Sequence, residues 1–391
     1  MPARFLHTAD WQLGRPFARV EDPAKRARLQ QERLDVLARI GAAAKEHAAE
    51  FILVAGDVFD SPHANKSTVA AACSALGAIG LPIYLIPGNH DHGGPDSLWE
   101  QAFFRREAAS LSPNLHVLLQ AEPVELAHAI ILPCPLLRRH DASDTTQWLR
   151  SADLIASLPA DKTRIVLAHG STQRFDSVSG DGDPDDHATN ILDLSRLPAN
   201  AYDYIALGDW HGAKQVALNA WYSGTPELDR FPRGENYAAG HVLLVEANRG
   251  SSPLVRLIST ARLGWHQTEF MLTGDGGVEE LAAHLDRLIG SRAGTDLLRL
   301  DLHGTVSLEG AARLQAVLES YQARLLRFKL NDRTVTAASE MEIMALTQRG
   351  NDPLISRVAA KLVARANAGD SEDAVIARLA LRELHAQLSR I

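Results

Sequence analysis

The stretch IPGNHDHGG, residues 86–94, ends an apolar run and places polar side chains directly behind a glycine. The run from Ile83 to Ile86 is rich in β-branched and aromatic residues, and it predicts a strand that stops at Pro87. Asn89 and His90 then project from a turn at the carboxyl end of that strand. Ligands bind at this end of the strands in open α/β sheets. The stretch therefore predicts a functional site.

Four other segments repeat this arrangement of an apolar run, a small residue and side chains that can bind a metal ion. With their candidate residues, they are HTADWQLG (Asp10, Gln12), AGDVFD (Asp57, Asp60), LAHGS (His169) and LGDWHG (Asp209, His211). Each segment alone is commonplace, and a lone histidine at a strand end is more often structural than a ligand. Together they are expected to converge, because parallel strands bring their carboxyl ends to one edge of a sheet.

The types of side chain restrict the chemistry of the predicted site. Oxygen donors with imidazole and without thiolate favour Mn²⁺, with Mg²⁺ or Fe as alternatives, over structural zinc. The candidates are too numerous for one ion, whereas two divalent ions about 3.5–4 Å apart that share a carboxylate would use them. Such a pair lowers the pKa of a bridging water and binds a phosphoryl group. The expected reaction is phosphoester hydrolysis.

The pattern of apolar runs predicts two α/β regions and a helical tail. Residues 1–265 alternate short strands with helices, residues 266–345 repeat a βαβαβ rhythm, and residues 346–391 are helical. A helix is expected over about 23–49, and the polar stretch 176–187 is expected to be a loop. The other expected elements of the first region are strands at 4–6, 51–54, 83–86, 130–132, 164–168 and 204–207.

Composition limits the classes of function. Of 391 residues, 46% are hydrophobic and 23% are charged, which is typical of a globular protein, and the formal net charge is −8. A protein with this charge does not bind nucleic acid through bulk positive charge, so a polyanion would be held by metal or by a few arginines. The two cysteines cannot form a disulfide framework, and no run approaches about 18 apolar residues. We therefore expect a cytoplasmic protein without a signal peptide or membrane association.

The motif series resembles the calcineurin-like metallophosphoesterase superfamily, and HTADWQLG with LAHGS and YIALGDWHG is most similar to its SbcD-type DNA repair exonucleases. The likeness covers residues 1 to about 265 and continues weakly through YSGTPELDRF, residues 222–231. It implies a four-layer α-β-β-α sandwich of 1–265, a smaller α/β capping domain of 266–345 that positions DNA, and a helical C-terminus of 346–391.

The resemblance also implies a mechanism and partners. It implies phosphodiester hydrolysis by two divalent cations with a bridging hydroxide. DNA is then the substrate, an SbcC-like SMC-type ATPase is a partner that binds the helical C-terminus, and the family commonly forms homodimers.

The same resemblance assigns a role to each candidate residue. It implies that Asp10 and His211 bind the first metal, that Asp57 bridges both metals, and that Asn89, His169 and Asp209 bind the second. His90 would contact the scissile phosphate, stabilise its charge or donate a proton to the leaving oxygen, and Asp60 would orient His90. Apart from the resemblance, His92 is a substrate-binding candidate, although a solvated turn explains it equally well. The basic pair Arg138 and Arg139 is the other candidate, although a solvated strand or helix face is slightly favoured over phosphate contact.

Two positions depart from the family pattern. Gln12 stands where the family has a histidine ligand of the first metal, and Asp209 stands where it has the first histidine of a GHxH motif. A neutral amide oxygen is a poorer ligand than imidazole for most first-row ions, so the first site is expected to be weak or to take a harder ion. The sequence leaves open a retuned catalytic site and an eroded, non-catalytic one.

Three functions follow from these observations. The leading prediction is a metal-dependent DNA repair nuclease. The alternatives are a small-molecule or nucleotide phosphodiesterase or phosphatase of the same superfamily, and a non-catalytic scaffold.

Overall fold

The computed structural model describes residues 2–172, 189–232, 237–290, 292, 294–369 and 371–388. The chain divides into two compact units, Met1–Leu263 and Gly264–Ile391. The loop predicted at 176–187 lies outside the described residues. Within the described part of the chain, no helix is both long enough and apolar enough to cross a bilayer.

The first unit contains fourteen strands and four α-helices within its described residues. In chain order they are β1 (Ala3–Thr8), α1 (Pro23–Glu46), β2 (Phe51–Ala55), α2 (Lys66–Ile79), β3 (Ile83–Ile86), α3 (Ala102–Leu111), β4 (Leu115–Val117), β5 (Val124–Glu125), β6 (Ala129–Cys134), α4 (Ala152–Ser157), β7 (Thr163–His169), β8 (Ser171–Thr172), β9 (Ile191–Leu192), β10 (Tyr204–Gly208), β11 (Lys214–Ala217), β12 (Ala220–Tyr222), β13 (His241–Ala247) and β14 (Leu254–Ser259).

Most of these strands form two six-stranded sheets. The first sheet has the order β14-β13-β1-β2-β3-β4, and the second has the order β11-β12-β10-β7-β6-β5. Strands β1 to β4 run parallel to one another, as do β6, β7, β10 and β12. Each predicted strand is present. The predicted helix over 23–49 is α1, which begins at Pro23 after the N-cap Asp22 and ends at Glu46.

Three apolar clusters separate the layers of the first unit. One joins the first sheet to α1 and α2, through residues such as Ile52, Leu37 and Leu76. The second lies between the sheets, where Phe5 stacks on Phe51 with ring centroids 5.1 Å apart. A third covers the outer face of the second sheet with the segments around α4. This helix–sheet–sheet–helix order confirms the predicted four-layer sandwich, and strands covered on both faces explain why β2 is apolar throughout.

The second unit is the predicted βαβαβ module followed by helices. Its elements are β15 (Gly264–Thr273), α5 (Gly276–Ile289), β16 (Asp296–Val306), α6 (Leu308–Arg324), β17 (Arg327–Thr336), α7 (Glu340–Thr347), α8 (Pro353–Ala366) and α9 (Glu372–Leu388). The strands form a parallel sheet of order β15-β16-β17, and α5 and α6 contribute to its core. The sequence analysis did not predict α7, which starts with a capping box formed by Ser339 and Glu342.

The helices of the second unit share one small core. Leu308 of α6 lies in the same apolar cluster as Leu346, Ala359 and Leu381 of the three last helices. The α/β module and the helices therefore belong to one compact unit, beginning at Gly264. Their division at residue 345 into a capping domain and a C-terminal segment stays a prediction about function.

Candidate metal centre

Sharp turns at the carboxyl ends of five strands build the centre. The turn after β1 runs beside the turn after β2, because Asp10 N donates to the Gly56 carbonyl at 3.1 Å and Gln12 N donates to the Asp57 carbonyl at 2.9 Å. Asp10, Gln12, Asp57 and Asp209 all have positive φ values, between 44° and 108°. Backbone strain in non-glycine residues collects at functional sites, and here four candidate residues share it.

Gly88 lets the turn after β3 approach this group closely. A Cβ atom at Gly88 would lie 2.1 Å from Asp57 Oδ1 and 2.6 Å from Asp57 N. Only glycine fits this position, which is why a glycine precedes Asn89 and His90.

A buried cluster of ligand atoms lies where the turns meet. One ligand atom each from Asp10, Asp57 and His169 lies within 4.8 Å of the others, and all three residues are buried. His169 Nε2 is 2.9 Å from Asn89 Oδ1, 3.6 Å from Asp57 Oδ1 and 4.0 Å from Asp209 Oδ1. The sequence-predicted ligands of the second metal are therefore brought together.

The hydrogen bonds of His169 show that this cluster suits a cation. His169 Nδ1 lies 2.7 Å from the Ala55 carbonyl, to which it donates, so Nε2 faces the oxygens of Asn89 and Asp57. Burial lowers the pKa of His169, but the carboxylates of Asp57, Asp10 and Asp209 outweigh it and raise the pKa to about 9. At this pKa the Nε2–H of His169 points at the oxygens of Asn89 and Asp57, and a divalent metal ion, which carboxylate, amide and imidazole ligands fit, would replace that proton.

Gln12 and His211 form the other half of the centre. Gln12 Nε2 lies 3.4 Å from His211 Nε2, and Gln12 Oε1 accepts a hydrogen bond from Arg15. His211 Nδ1 lies 2.9 Å from Asp229 Oδ2. The buried Asp229 carboxylate also pairs with Arg15 at 2.9 Å and Arg230 at 3.0 Å. This half thus contains guanidinium groups that the sequence analysis did not include.

His90 stands at the open side of the cluster. Its Nε2 atom is 3.9 Å from Asp57 Oδ2, its backbone N–H donates to Asp57 Oδ1 at 3.0 Å, and 34% of its side chain is exposed. Burial lowers the pKa of His90, but the Asp57 carboxylate and the Asp60 carbonyl outweigh it and raise the pKa. Asp60 contacts His90 through its backbone carbonyl, which lies 2.9 Å from His90 Nδ1.

Comparison with known proteins agrees with this geometry. The pattern that defines the calcineurin-like phosphoesterases matches residues 3–242. This chain belongs to the calcineurin-like phosphoesterase family. It is 38% identical over 273 residues to the SbcD component of the nuclease SbcCD from Bacillus subtilis strain 168, an alignment that covers 63% of this chain and 67% of that protein. The predicted membership of the calcineurin-like metallophosphoesterase superfamily is therefore confirmed.

Solved structures are related at lower identity. The protein TT1561 of Thermus thermophilus is 14% identical, with a TM-score of 0.40, and a dimetal phosphatase from Danio rerio is also 14% identical, with a TM-score of 0.37. Both likenesses cover 66% of this chain and 100% of the other chain. Membership of the family places the chain among metal-dependent phosphoesterases.

The substrate-binding candidates of this phosphoesterase lie beside the His90 turn. His92 is partly buried, and burial, together with Arg139 and His63, lowers its pKa. Arg138 and Arg139 are exposed in the segment that follows β6. This segment lies against the turn, because Gly93 N donates to the Leu136 carbonyl at 2.8 Å. Their contact with substrate stays a prediction.

Asp91 is a structural residue of this site that the sequence analysis did not assign. Its carboxylate accepts backbone hydrogen bonds from Gly88 at 2.7 Å, Val58 at 2.8 Å and Phe59 at 3.0 Å. Burial, followed by the charge of Asp57, raises the pKa of Asp91 to about 7. Asp91 therefore ties the turn after β3 to the turn after β2. Its position directly after Asn89 and His90 is the only signal in the sequence.

Asp91→Ala is expected to lower the free energy of unfolding of the phosphoesterase unit by roughly 3–5 kcal/mol, because three buried N–H groups lose their acceptor. Urea unfolding followed by tryptophan fluorescence measures the change. Glu122→Ala, at an exposed position, is the control and should change stability by less than about 0.5 kcal/mol. If Asp91→Ala lowered the free energy of unfolding by less than about 1 kcal/mol, roughly twice the change allowed for the control, this role of Asp91 would be contradicted.

Proposed function

We propose that this phosphoesterase is a metal-dependent DNA nuclease that hydrolyses phosphodiester bonds. The observation that carries the proposal is the position of His90, whose Nε2 atom lies 3.9 Å from an oxygen of Asp57 at the edge of the buried Asp10, Asp57 and His169 cluster. DNA as the substrate is supported by the similarity to a nuclease component over 273 residues.

Several residues would hold the metal and the substrate. Asp10, Asp57, Asn89, His169 and Asp209 would hold a divalent cation at their shared edge. A cation bound there supplies a charge that lowers the pKa of water and neutralises phosphate oxygens.

His90 would act directly on the substrate in this proposal. With its Nδ1 hydrogen bonded to the Asp60 carbonyl, protonated His90 presents Nε2–H at the edge of the cluster, 3.9 Å from Asp57 Oδ2. There it would donate to the leaving oxygen of the phosphodiester. In this reaction Asp57 would bind metal and His90 would act on the phosphate, as predicted from the sequence. The expected metal is Mn²⁺, with Mg²⁺ or Fe as alternatives.

The substrate class is tested with the purified chain and added Mn²⁺. A nuclease degrades linear double- or single-stranded DNA, and the activity disappears on chelation and returns with Mn²⁺. Cleavage of nitrophenyl phosphodiesters or nucleotides with intact DNA would instead indicate the small-molecule phosphodiesterase. If no phosphoester is hydrolysed and no metal is bound, the chain is a scaffold.

An SbcC-like SMC-type ATPase is the proposed partner of the helices in the second unit, in a cytoplasmic DNA repair complex. Leu354 on α8 and Ile376 and Leu379 on α9 are exposed by 75%, 56% and 47%. Such apolar side chains suit a helical partner surface. Homodimer formation stays a prediction.

The double variant Ile376→Asp and Leu379→Asp is expected to weaken binding of the ATPase at least about tenfold, because charges replace apolar contacts. Co-purification and calorimetry with the ATPase measure this loss. Lys361→Ala, exposed on α8, is the matched control. Unchanged binding by the double variant would remove these helices as the contact surface.

A further inference from the structure

We propose that the two halves of the centre are unequal: one divalent cation binds beside His169, and the guanidinium of Arg15 replaces the second cation beside Gln12 and His211. This inference rests on the proposed metal-dependent function and revises the expectation of two metal ions. It follows from the different hydrogen bonding of the two histidines.

The Gln12 half forms a closed ring of hydrogen bonds. Arg15 donates to Gln12 Oε1, and Gln12 Nε2 donates to His211 Nε2 at 3.4 Å. His211 Nδ1 donates to Asp229 Oδ2 at 2.9 Å, and the same Asp229 oxygen accepts from Arg15 at 2.9 Å. Each of these hydrogen bonds joins a donor to an acceptor. The lone pair of His211 Nε2 accepts the hydrogen bond from Gln12, so it is not available to bind a metal ion. No cation is needed to satisfy this half.

The direction of the ring is fixed by its charged members. Reversing the Gln12 amide would turn its NH₂ group toward the Arg15 guanidinium, which can only donate. Arg230 Nη2 also lies 3.0 Å from His211 Nδ1, but it donates to Asp229 Oδ2 at the same distance. A proton on His211 Nδ1 therefore fits the adjacent Asp229 carboxylate. Gln12 consequently presents nitrogen, which is not a metal ligand, to His211.

Charge separates the two halves further. Beside Gln12, the buried carboxylate of Asp229 pairs with both Arg15 and Arg230, and the charges of Asp60 and Asp10 also act on Arg15 and Arg230, respectively. Beside His169, by contrast, the cluster gathers the carboxylates of Asp10 and Asp57, with Asp209 Oδ1 at 4.0 Å. A divalent cation is attracted to the half where the carboxylates gather and repelled by the guanidinium groups of the other half.

Arg15 can also bind the substrate that a second cation would otherwise bind. Its side chain is 26% exposed, and the buried Asp229 carboxylate holds its guanidinium in place. A guanidinium offers several N–H donors in a planar fork that matches phosphate oxygens. We therefore assign Arg15 to a non-bridging oxygen of the scissile phosphate.

Metal stoichiometry tests the inference separately from activity. The full chain is loaded with Mn²⁺ by equilibrium dialysis, its metal content is measured, and its Mn²⁺ electron paramagnetic resonance spectrum is recorded. One ion per chain with an uncoupled spectrum is the expected result. Two ions with a spin-coupled spectrum would overturn the inference and leave the proposed function intact, whereas a chain without bound metal would overturn both.

A gain of metal tests the residues responsible. The double variant Gln12→His and Arg15→Leu opens the ring and restores an imidazole, and we expect it to bind two Mn²⁺ per chain with a coupled spectrum. Arg105→Leu, at an exposed position on α3, is the control and should keep one ion. A folded double variant, checked by circular dichroism, that still binds one ion would overturn the assignment to Gln12 and Arg15. If the double variant does not fold, the number of Mn²⁺ ions bound by the wild-type chain decides whether the inference holds.

Binding of inorganic phosphate tests the second role of Arg15. At one equivalent of Mn²⁺, Arg15→Ala is expected to bind phosphate about tenfold more weakly than wild type, and Arg15→Lys to recover part of the loss. Calorimetry measures both affinities. Equal affinities of wild type and Arg15→Ala would overturn this role.

Discussion

Asp57→Asn is expected to lower phosphodiester hydrolysis about 10³-fold, equivalent to ~4 kcal/mol in the activation barrier, and to remove most bound metal. Asp57 is the buried carboxylate on which the centre depends. Its Oδ1 atom is 3.6 Å from His169 Nε2 and accepts from the His90 backbone at 3.0 Å, and its Oδ2 atom faces His90 Nε2 at 3.9 Å. The amide keeps the shape of the side chain but halves its acceptors and removes its charge.

Metal content and hydrolysis measured on the same samples check this result. Asp96→Asn, in an exposed turn, removes one carboxylate without touching the cluster and serves as the control. The role assigned to Asp57 would be wrong if Asp57→Asn bound metal as wild type does and kept more than a tenth of the activity.

His90→Ala is expected to lower hydrolysis of DNA by about 10²–10⁴-fold, the range for loss of general acid catalysis, while the metal content stays that of wild type. The reason is that His90 stands outside the Asp10, Asp57 and His169 cluster and its Nδ1 is held by the Asp60 carbonyl. Burial lowers the pKa of His90, but Asp57 and Asp60 outweigh it and raise the pKa, which favours the protonated form that can donate. The loss should therefore appear in kcat rather than in metal binding.

Substrates with different leaving groups distinguish proton donation from a structural role. A nitrophenyl phosphodiester releases a weakly basic oxygen that needs little protonation, so His90→Ala should impair its cleavage much less than that of DNA. His128→Ala, a partly exposed histidine paired with Glu50, is the control. Equal losses on both substrates would rule out proton donation by His90.

The fold was predictable because it depends on patterns that repeat along the chain. Apolar runs such as Phe51–Ala55 and Thr163–His169 are short and continuous, as expected for strands covered on both faces. The added strands β13 and β14 were not predicted, since they pair antiparallel with β1 and with each other at the sheet edge and follow no βαβ rhythm. His7 of β1 is buried, and its ring nitrogens contact the Tyr204 hydroxyl at 3.0 Å and the Leu207 carbonyl at 3.2 Å.

Details of the site were less predictable than its location. Asp60 contacts His90 through its carbonyl, and Asp91 holds two turns together through three backbone N–H groups. Neither contact follows from residue type, because a backbone atom carries no signature in the sequence and an aspartate in a turn has many partners.

The sequence by itself determined that polar side chains from five strand ends meet at one edge, because strand direction and glycine-containing turns are encoded locally. Tertiary structure alone decided the environment of each ligand. Arg15 and Asp229 lie 214 positions apart, and Gln12 and His211 lie 199 apart, yet together they form one ring. The physical reason is that hydrogen bonding and charge balance depend on distances between turns, which are fixed only when both sheets pack.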